Sequence, residues 1–187
     1  MAVDLKRSGL PTDEQKRYRI KGHEVVLRQA NPEDAKEVSK RLARVIQEGI
    51  YLDESPDTRP DVQKKRGEIE KIRDHDGMYT VVEVDGNIAG SAQLKRGSKG
   101  MSHHTAQFRT WLIPRYRGMG LGKKLLEYTL SWAKDHGIEK INLDVWDTNE
   151  RAIGLYRKYG FRLEGRRRRQ AVIEGKYVDE IFMARFL

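Results

Sequence analysis

The apolar positions of the chain follow two periodicities, which together predict a mixed α/β domain. Apolar residues alternate with polar ones, or run together briefly, in seven predicted strands: about 24–28, 79–83, 88–94, 105–113, 140–146, 161–173 and 177–186. Apolar residues recur every three or four positions in four predicted helices: about 32–47, 61–74, 120–136 and 150–159. Because the strands and helices are interleaved, we expect helices on both faces of one sheet.

Local signals set the boundaries of these elements. Asn31 and Pro32 are typical of a helix start, because asparagine caps the first N–H groups and proline fits the first turn. Asp85 and Gly86, between two strand patterns, predict a β-hairpin. Residues 1–22 are polar and charged, so we expect a flexible extension there and one domain over residues 23–187.

Composition narrows the class of protein. At 187 residues the chain fits one domain, and no stretch has the pattern of a membrane span or signal peptide. A soluble, cytoplasmic protein without a membrane partner is therefore expected. The chain has no cysteine, which excludes disulfides, thiolate metal sites and a covalent acyl-cysteine mechanism. His103 and His104 would face opposite ways on a strand, so no metal site is predicted.

The net charge of +9 raises the question of nucleic-acid binding. The densest basic segment is the run of four arginines at 166–169. Successive side chains of a strand point to opposite faces, so only two of the four would share a surface. Neither the aromatic platform of RNA-recognition domains nor a helix-turn-helix or zinc-ligand spacing accompanies them. Specific nucleic-acid recognition is therefore not predicted, and solubility or attraction of an anionic cofactor explains the charge.

The most informative segment is a glycine-rich junction at 117–123, Arg-Gly-Met-Gly-Leu-Gly-Lys, between a predicted strand and a predicted helix. Glycines let the backbone approach a ligand, and the first turn of a helix presents unpaired N–H groups, so the junction suits a pyrophosphate. A Walker A loop does not match, because Arg117 and Lys124 stand where Gly and Ser or Thr are required. A dinucleotide fingerprint does not match either, since Lys123 stands at its third glycine.

A second motif follows at 149–161, with the pattern N-x-x-A-x-x-L-Y-x-x-x-G-F after a short apolar strand. Together with the R-x-x-G-x-G pattern that starts at Arg117, it resembles the GNAT superfamily of N-acetyltransferases, most closely the ribosomal-protein N-terminal acetyltransferase-like bacterial members. The resemblance covers roughly residues 22–187. It implies the GNAT fold, a central mixed, mostly antiparallel sheet of about seven strands with helices on both faces.

The resemblance also implies acetyl-coenzyme A (acetyl-CoA) as the acyl donor and suggests roles for individual residues. Asn149 would hydrogen-bond the pantetheine arm, and a backbone N–H of Leu112 or Ile113 would face the developing oxyanion if the strand bulges there. Tyr156, at the family's acid position, would protonate the leaving sulfur. The pyrophosphate would bind the loop formed by Arg117, Gly118, Met119, Gly120, Leu121, Gly122 and Lys123.

Acetyl transfer to an amine also needs a base, because an alkylamine is almost fully protonated at neutral pH. Asp144 stands five positions before Asn149, where ribosomal-protein acetyltransferases carry an acidic base. Strand alternation places it opposite the apolar Ile141 and Leu143, toward a cleft. Aspartate is shorter than the glutamate expected there, which favours a bridging water. His104, an ordered-water relay and a purely structural carboxylate are the alternatives.

The acceptor is left open among amines: an amino acid, a peptide or protein N-terminus, a polyamine or an aminoglycoside-like amine. Asp53, Glu54 and Asp57 are candidates for binding a cationic acceptor or are simply surface charges. A noncatalytic acyl-CoA sensor or a basic adaptor with the same fold is the alternative function, although Tyr156 and Asn149 favour catalysis. A longer acyl donor and a homodimer are also left open.

Overall fold

The computed structural model of the protein describes residues 15–98 and 100–187, which form one eight-stranded sheet and four α-helices. The strands are β1 (Lys16–Ile20), β2 (His23–Gln29), β3 (Met78–Val84), β4 (Asn87–Arg96), β5 (Thr105–Leu112), β6 (Lys140–Trp146), β7 (Arg162–Ile173) and β8 (Lys176–Phe186). The helices are α1 (Ala35–Ile46), α2 (Val62–Asp74), α3 (Leu121–Asp135) and α4 (Glu150–Lys158). Within the described part of the chain, no helix is long and apolar enough to cross a membrane.

The sheet has the strand order β1-β2-β3-β4-β5-β6-β8-β7. Strands β5 and β6 run parallel, and the other neighbouring pairs run antiparallel. The predicted fold class, a mixed and mostly antiparallel sheet, is confirmed. The predicted hairpin is present between β3 and β4, where Asp85 and Gly86 both have positive φ angles.

Strand β1 was not predicted, because it lies inside the segment expected to be an extension. It pairs with β2 across a turn at Lys21 and Gly22, both of which have positive φ angles. Its residues are mostly exposed and charged, so no apolar alternation marks the strand, although Tyr18 and Ile20 pack against the core. The folded domain therefore starts before residue 23, and residues 1–14 of the expected extension lie outside the described residues.

Helices cover both faces of the sheet, as its central strands show. Burial raises the pKa of the Tyr79 hydroxyl, and the charge of Glu68 on α2 raises it further. Glu68 is therefore close to this hydroxyl, so the Tyr79 side chain lies on the face that α2 covers. The next residue, Thr80, points to the opposite face. There its hydroxyl lies 3.4 Å from the Gln29 amide nitrogen, which also donates to the Tyr128 hydroxyl on α3 at 3.2 Å. Helices α2 and α3 thus lie on opposite faces.

The two halves of the sheet separate between β5 and β6. The parallel pairing covers only three positions, from Thr105 opposite Lys140 to Gln107 opposite Asn142. Toward their C-terminal ends the two strands continue in pairing with β4 and β8, respectively, but not with each other. The sheet is therefore open at the C-terminal ends of two parallel strands, where α/β proteins commonly bind ligands.

Candidate active site

The opening between β5 and β6 forms a cleft of about 540 Å³. Its walls come from the diverging halves of both strands, the first turns of α3 and α4, and the segment 51–54 that follows α1. Of the predicted site residues, Met119 and Ile113 do not line the cleft. Those that line it are Leu112, Arg117, Gly118, Gly120, Leu121, Gly122, Lys123, Asp144, Asn149 and Tyr156.

The glycine loop presents bare backbone to the cleft. Gly118 and Gly120 have φ angles of +80° and +82°, a left-handed conformation that glycine adopts without steric cost. A Cβ on either residue would have no heavy atom within 4 Å, so the backbone borders open space. Hydrogen bonding along α3 starts with the Lys124 N–H donating to the Gly120 carbonyl (3.2 Å). The N–H groups that precede it are left for an anion at the helix start, namely those of Leu121, Gly122 and Lys123.

The Arg117 side chain is used inside the protein, although the sequence predicted a contact with the cofactor. Its two terminal nitrogens donate to the two carboxylate oxygens of Glu48, each at 2.6 Å. Nε and one terminal nitrogen donate to the Leu112 carbonyl oxygen at 3.1 and 2.9 Å. The Arg117 backbone N–H donates to the Pro114 carbonyl at 3.1 Å. Arg117 therefore supports the loop mainly through contacts within the protein.

Only one of the two predicted oxyanion donors faces the cleft. The Ile113 N–H donates to the Ala89 carbonyl at 2.9 Å and is therefore committed to the sheet. That bond makes Leu112 and Gly90 a non-hydrogen-bonded pair, in which the N–H and C=O of Leu112 point away from β4. The register of β4 with β5 is continuous, so the expected bulge is absent from it. Antiparallel alternation with β4 therefore directs the Leu112 N–H toward the cleft without a bulge.

Asn149 starts α4 and sets the direction of that helix. Its side-chain oxygen accepts a hydrogen bond from the Ala152 N–H at 3.2 Å, and its own N–H donates to the Trp146 carbonyl at 2.9 Å. Side-chain oxygens at this position commonly satisfy free N–H groups of the first turn. Because capping uses the oxygen, the Asn149 amide nitrogen is the group left to donate into the cleft.

Helix α4 brings the Tyr156 ring into the wall of the cleft. The ring packs edge-on against Phe108, with centroids 6.2 Å apart, and at a tilt against Phe161, at 5.7 Å. Burial raises the pKa of the Tyr156 phenol, and the nearby charge of Asp144 raises it further. No described residue hydrogen-bonds the phenol. It is therefore a protonated donor without a partner among the described residues, within range of the Asp144 charge.

Asp144 lies on the cleft side of β6, opposite the buried Ile141 and Leu143. The Gln107 side-chain nitrogen donates to one Asp144 oxygen at 2.7 Å, which orients the carboxylate across the β5–β6 gap. Sequence reasoning missed Gln107, because only the register of β5 and β6 brings it near. His104, the alternative base, precedes β5 at its closed end and does not line the cleft.

Two of the three predicted acceptor carboxylates reach the cleft. Asp53 and Glu54 line it, whereas Asp57 does not. One Glu54 oxygen lies 3.3 Å from an Arg109 nitrogen, and the other is buried without a hydrogen-bond partner among the described residues. Among residues 15–98 and 100–187, no three His, Cys, Asp or Glu side chains are grouped so that they could hold a metal ion.

The arginine run lies in β7, and its contacts are mostly with β8. Arg166 lies 3.3 Å from the Asp179 carboxylate, and Arg167 donates to Glu180 at 3.1 Å. Arg169 lies over the ring of a β8 tyrosine, 5.3 Å from its centroid. Three of the four arginines thus have partners on the neighbouring strand, which favours a surface role over a phosphate-binding stripe.

Three further residues near the glycine loop were missed by sequence reasoning. Lys21, in the β1–β2 turn, donates to the Gly118 carbonyl at 3.3 Å. Glu48 binds Arg117 as described, and the Tyr51 ring lies 4.7 Å from the Arg117 guanidinium. Glu48 is 69 positions from Arg117 in the chain, so no local pattern could have indicated their contact.

The model of the "Acetyltransferase (GNAT) family" matches residues 44–161, which is more than half of the chain. The L-amino acid N-acetyltransferase AaaT of Escherichia coli is 29% identical over 121 residues, which are 62% of this chain and 73% of that protein. The spermidine N(1)-acetyltransferase of the same organism is 34% identical over 120 residues, covering 62% of this chain and 61% of that protein.

A solved structure with low sequence identity to this chain has the same fold. The putative acetyltransferase yncA from Salmonella typhimurium, solved with its cofactor acetyl-CoA, is 21% identical with a TM-score of 0.77. The similarity covers 87% of this chain and 94% of that one. The chain therefore belongs to the acetyltransferase (GNAT) family, and the enzyme class predicted from its two motifs, N-acetyltransferase, is confirmed.

Proposed function

We propose that the protein transfers an acetyl group from acetyl-CoA directly to a primary amine held in the cleft between β5 and β6. One observation carries the proposal: three chemical functions line a single space. These are the N–H groups of the glycine loop, the outward N–H of Leu112 and the protonated phenol of Tyr156. Since the chain has no cysteine, direct transfer within a ternary complex is preferred to an acyl-cysteine route.

The residues present are suited to acetyl-CoA. The left-handed glycines leave open space where a side chain would otherwise project, and the helix start supplies N–H donors for a diphosphate. The Asn149 amide nitrogen is placed to hold the pantetheine arm. Acetyl-CoA would supply the activated acyl group, and the protein would supply alignment and proton transfer. Arg117 supports this site through the loop rather than as a principal phosphate ligand.

Each step of the transfer has a candidate group in the cleft. Asp144, held by Gln107, takes a proton from the acceptor ammonium directly or through a water. The Leu112 N–H stabilises the oxyanion that develops on the carbonyl oxygen. Tyr156 donates its proton to the leaving sulfur, so the thiol does not depart as a bare thiolate.

Acetyl-CoA consumption measured against a panel of amines tests the proposal. The panel contains amino acids, peptides, polyamines and aminoglycosides, and butanoyl-CoA in parallel reactions tests donor length. Turnover with at least one amine, accompanied by the acetylated product in the mass spectrum, supports the proposal. Tight acetyl-CoA binding with no turnover across the panel would instead support the sensor function. The cytoplasmic location and a homodimer remain predictions.

We also propose that the acceptor is a cationic amine with a second positive group. The relatives acetylate chemically different acceptors, an amino acid in one case and spermidine in another, so they do not identify this one. The support comes from Glu54, which lines the cleft and has a buried carboxylate oxygen without a partner among the described residues. A buried acceptor atom of this kind favours a donor from the substrate.

Glu54→Gln is expected to raise the KM for a linear diamine by about 10-fold, because a hydrogen bond to a charged group is replaced by a neutral one. The KM for a monoamine of equal length should change little. Steady-state kinetics with both amines measures this difference. Asp57→Asn is the matched control, since Asp57 is in the same segment but outside the cleft. Equal changes for both amines in Glu54→Gln would contradict the proposal.

Asp144→Asn is expected to lower kcat at neutral pH, because an amide cannot take a proton from the acceptor ammonium. Asp144→Glu, which restores the length usual in the family, should retain substantial activity. The measurement is kcat, with saturating amine, and kcat/KM for the three forms at neutral pH. A wild-type rate in Asp144→Asn would make Asp144 a structural carboxylate and leave an ordered-water relay as the base.

A further inference from the structure

Arg117 lines the cleft and makes four side-chain hydrogen bonds within the protein, but it has no assigned role in the chemistry. We propose that Glu48 is a positioning residue of the transfer reaction, acting through Arg117 to hold the Leu112 N–H toward the cleft. This inference rests on the proposed acetyl transfer, since it concerns the donor to the oxyanion.

The hydrogen bonds of Arg117 define a rigid connection. A guanidinium carries five N–H groups in a planar fork. Four of them are used here, two on the Glu48 carboxylate at 2.6 Å and two on the Leu112 carbonyl at 2.9 and 3.1 Å. The bidentate contact fixes the plane of the fork, so the orientation of Arg117 toward Leu112 depends on Glu48.

Leu112 needs this support because no strand pairs with it on the cleft side. The pairing of β5 with β6 ends at Gln107, so no ladder partner from β6 reaches Leu112. In an extended strand the N–H and C=O of one residue point to the same side. Holding the Leu112 carbonyl therefore also holds the direction of its N–H. Arg117 takes the place of the missing strand on the cleft side.

The other side of Leu112 is held by close packing against β4. A Cβ added at Gly90 would lie 2.3 Å from the Trp111 carbonyl oxygen and 3.1 Å from the Leu112 Cα. The first distance is shorter than real Cβ contacts and the second is tighter than most of them, so glycine is required for the observed approach of the two strands. Leu112 is thus fixed by Gly90 on one side and by Arg117 on the other.

Glu48 also connects this support to the wall of the cleft formed by residues 51–54. It lies just beyond α1, where the segment leading to Asp53 and Glu54 begins. Three residues later, the Tyr51 ring lies 4.7 Å from the Arg117 guanidinium and lines the cleft. The side chains of Glu48 and Arg117 are only 21% and 26% exposed, so solvent competes weakly for their contact. The Glu48–Arg117 ion pair therefore aligns the Leu112 N–H with the wall of the cleft formed by residues 51–54.

Glu48→Gln is expected to lower kcat by about 10- to 100-fold, because a misplaced oxyanion donor loses part of its value in the transition state. The Kd for acetyl-CoA should change by less than about threefold, since the loop N–H groups remain. Steady-state kinetics and calorimetric titration measure the two quantities. Glu37→Gln is the matched control, because it removes the Glu37–Arg41 pair of α1 (2.5 Å), away from the cleft, and should keep the wild-type kcat.

The carbonyl carbon of bound [1-¹³C]acetyl-CoA provides a readout that a purely structural role would not affect. Hydrogen bonding to the carbonyl moves its ¹³C resonance downfield, so Glu48→Gln should shift it back toward the free value while Glu37→Gln should not. Arg117→Lys is a second variant, in case Glu48→Gln fails to fold. Lysine keeps the charge but not the fork, so it should show the same loss of kcat and the same shift.

The outcomes separate this inference from the proposed function. If wild type acetylates no amine, the proposed function fails. If wild type is active and Glu48→Gln keeps kcat within twofold, the positioning role is wrong. An equal loss of kcat and acetyl-CoA affinity would also overturn it, because Glu48 would then support cofactor binding instead.

Discussion

Replacing Tyr156 with phenylalanine is expected to lower kcat by roughly 100- to 10,000-fold, the usual contribution of a general acid, while the Kd for acetyl-CoA stays nearly unchanged. The hydroxyl acts on charge that develops only during the reaction, so its loss is felt in the transition state rather than in binding. The ring contacts with Phe108 and Phe161 remain in the variant, so the wall of the cleft is preserved. Steady-state kinetics together with calorimetric titration checks both quantities.

The control for this variant is Tyr159→Phe, at the residue that directly follows the same helix. The Tyr159 hydroxyl donates to Glu127 at 2.6 Å and does not line the cleft, so its removal should leave kcat close to wild type. The pH profile provides a second check on Tyr156. Because burial raises the pKa of its phenol, the acid form persists to higher pH, and kcat should not fall through loss of this proton near pH 10. An unchanged kcat in Tyr156→Phe would rule out the acid role.

Replacing Gly120 with aspartate is expected to weaken acetyl-CoA binding by at least about 100-fold. The new side chain would project from the helix start into open space, where the diphosphate is proposed to bind, and would bring a negative charge to it. Aspartate tolerates the left-handed backbone of Gly120 better than most residues, so the loss should come mainly from charge and obstruction. Calorimetric titration of acetyl-CoA into wild type and variant measures the change.

Gly137→Asp is the matched control, because it makes the same substitution beyond the other end of α3. Gly137 has a φ of +67° and open space at its Cβ position, but it is not part of the cleft. A similar backbone cost is therefore expected without any effect on acetyl-CoA affinity. Gly120→Asn, which keeps the size but not the charge, should bind more tightly than Gly120→Asp. Equal affinities of wild type and Gly120→Asp would remove the glycine loop from the site.

Much of the fold and part of the site could be predicted because the relevant signals are local. Strand β6 was predicted with its observed bounds, Lys140–Trp146, since the alternation of apolar and polar side chains is visible in consecutive residues. Asn149 and Tyr156 lie seven positions apart on one element, so their motif predicts the helix start and the residue that the helix carries into the cleft. Strand β1 was missed because it is charged and exposed, and its pairing with β2 reveals it.

The sequence by itself determined that a glycine-rich helix start follows one predicted strand of a mixed sheet and that a helix with Asn149 and Tyr156 follows another, which is sufficient to identify the family. Only the tertiary structure decided which partner each of these groups has and which groups face the cleft. It committed Ile113 to Ala89, turned Leu112 toward the cleft, excluded His104 from it and bound Arg117 to Glu48. The physical reason is range: turn chemistry and periodicity act over a few residues, whereas strand register and an ion pair across 69 positions exist only once the chain has folded.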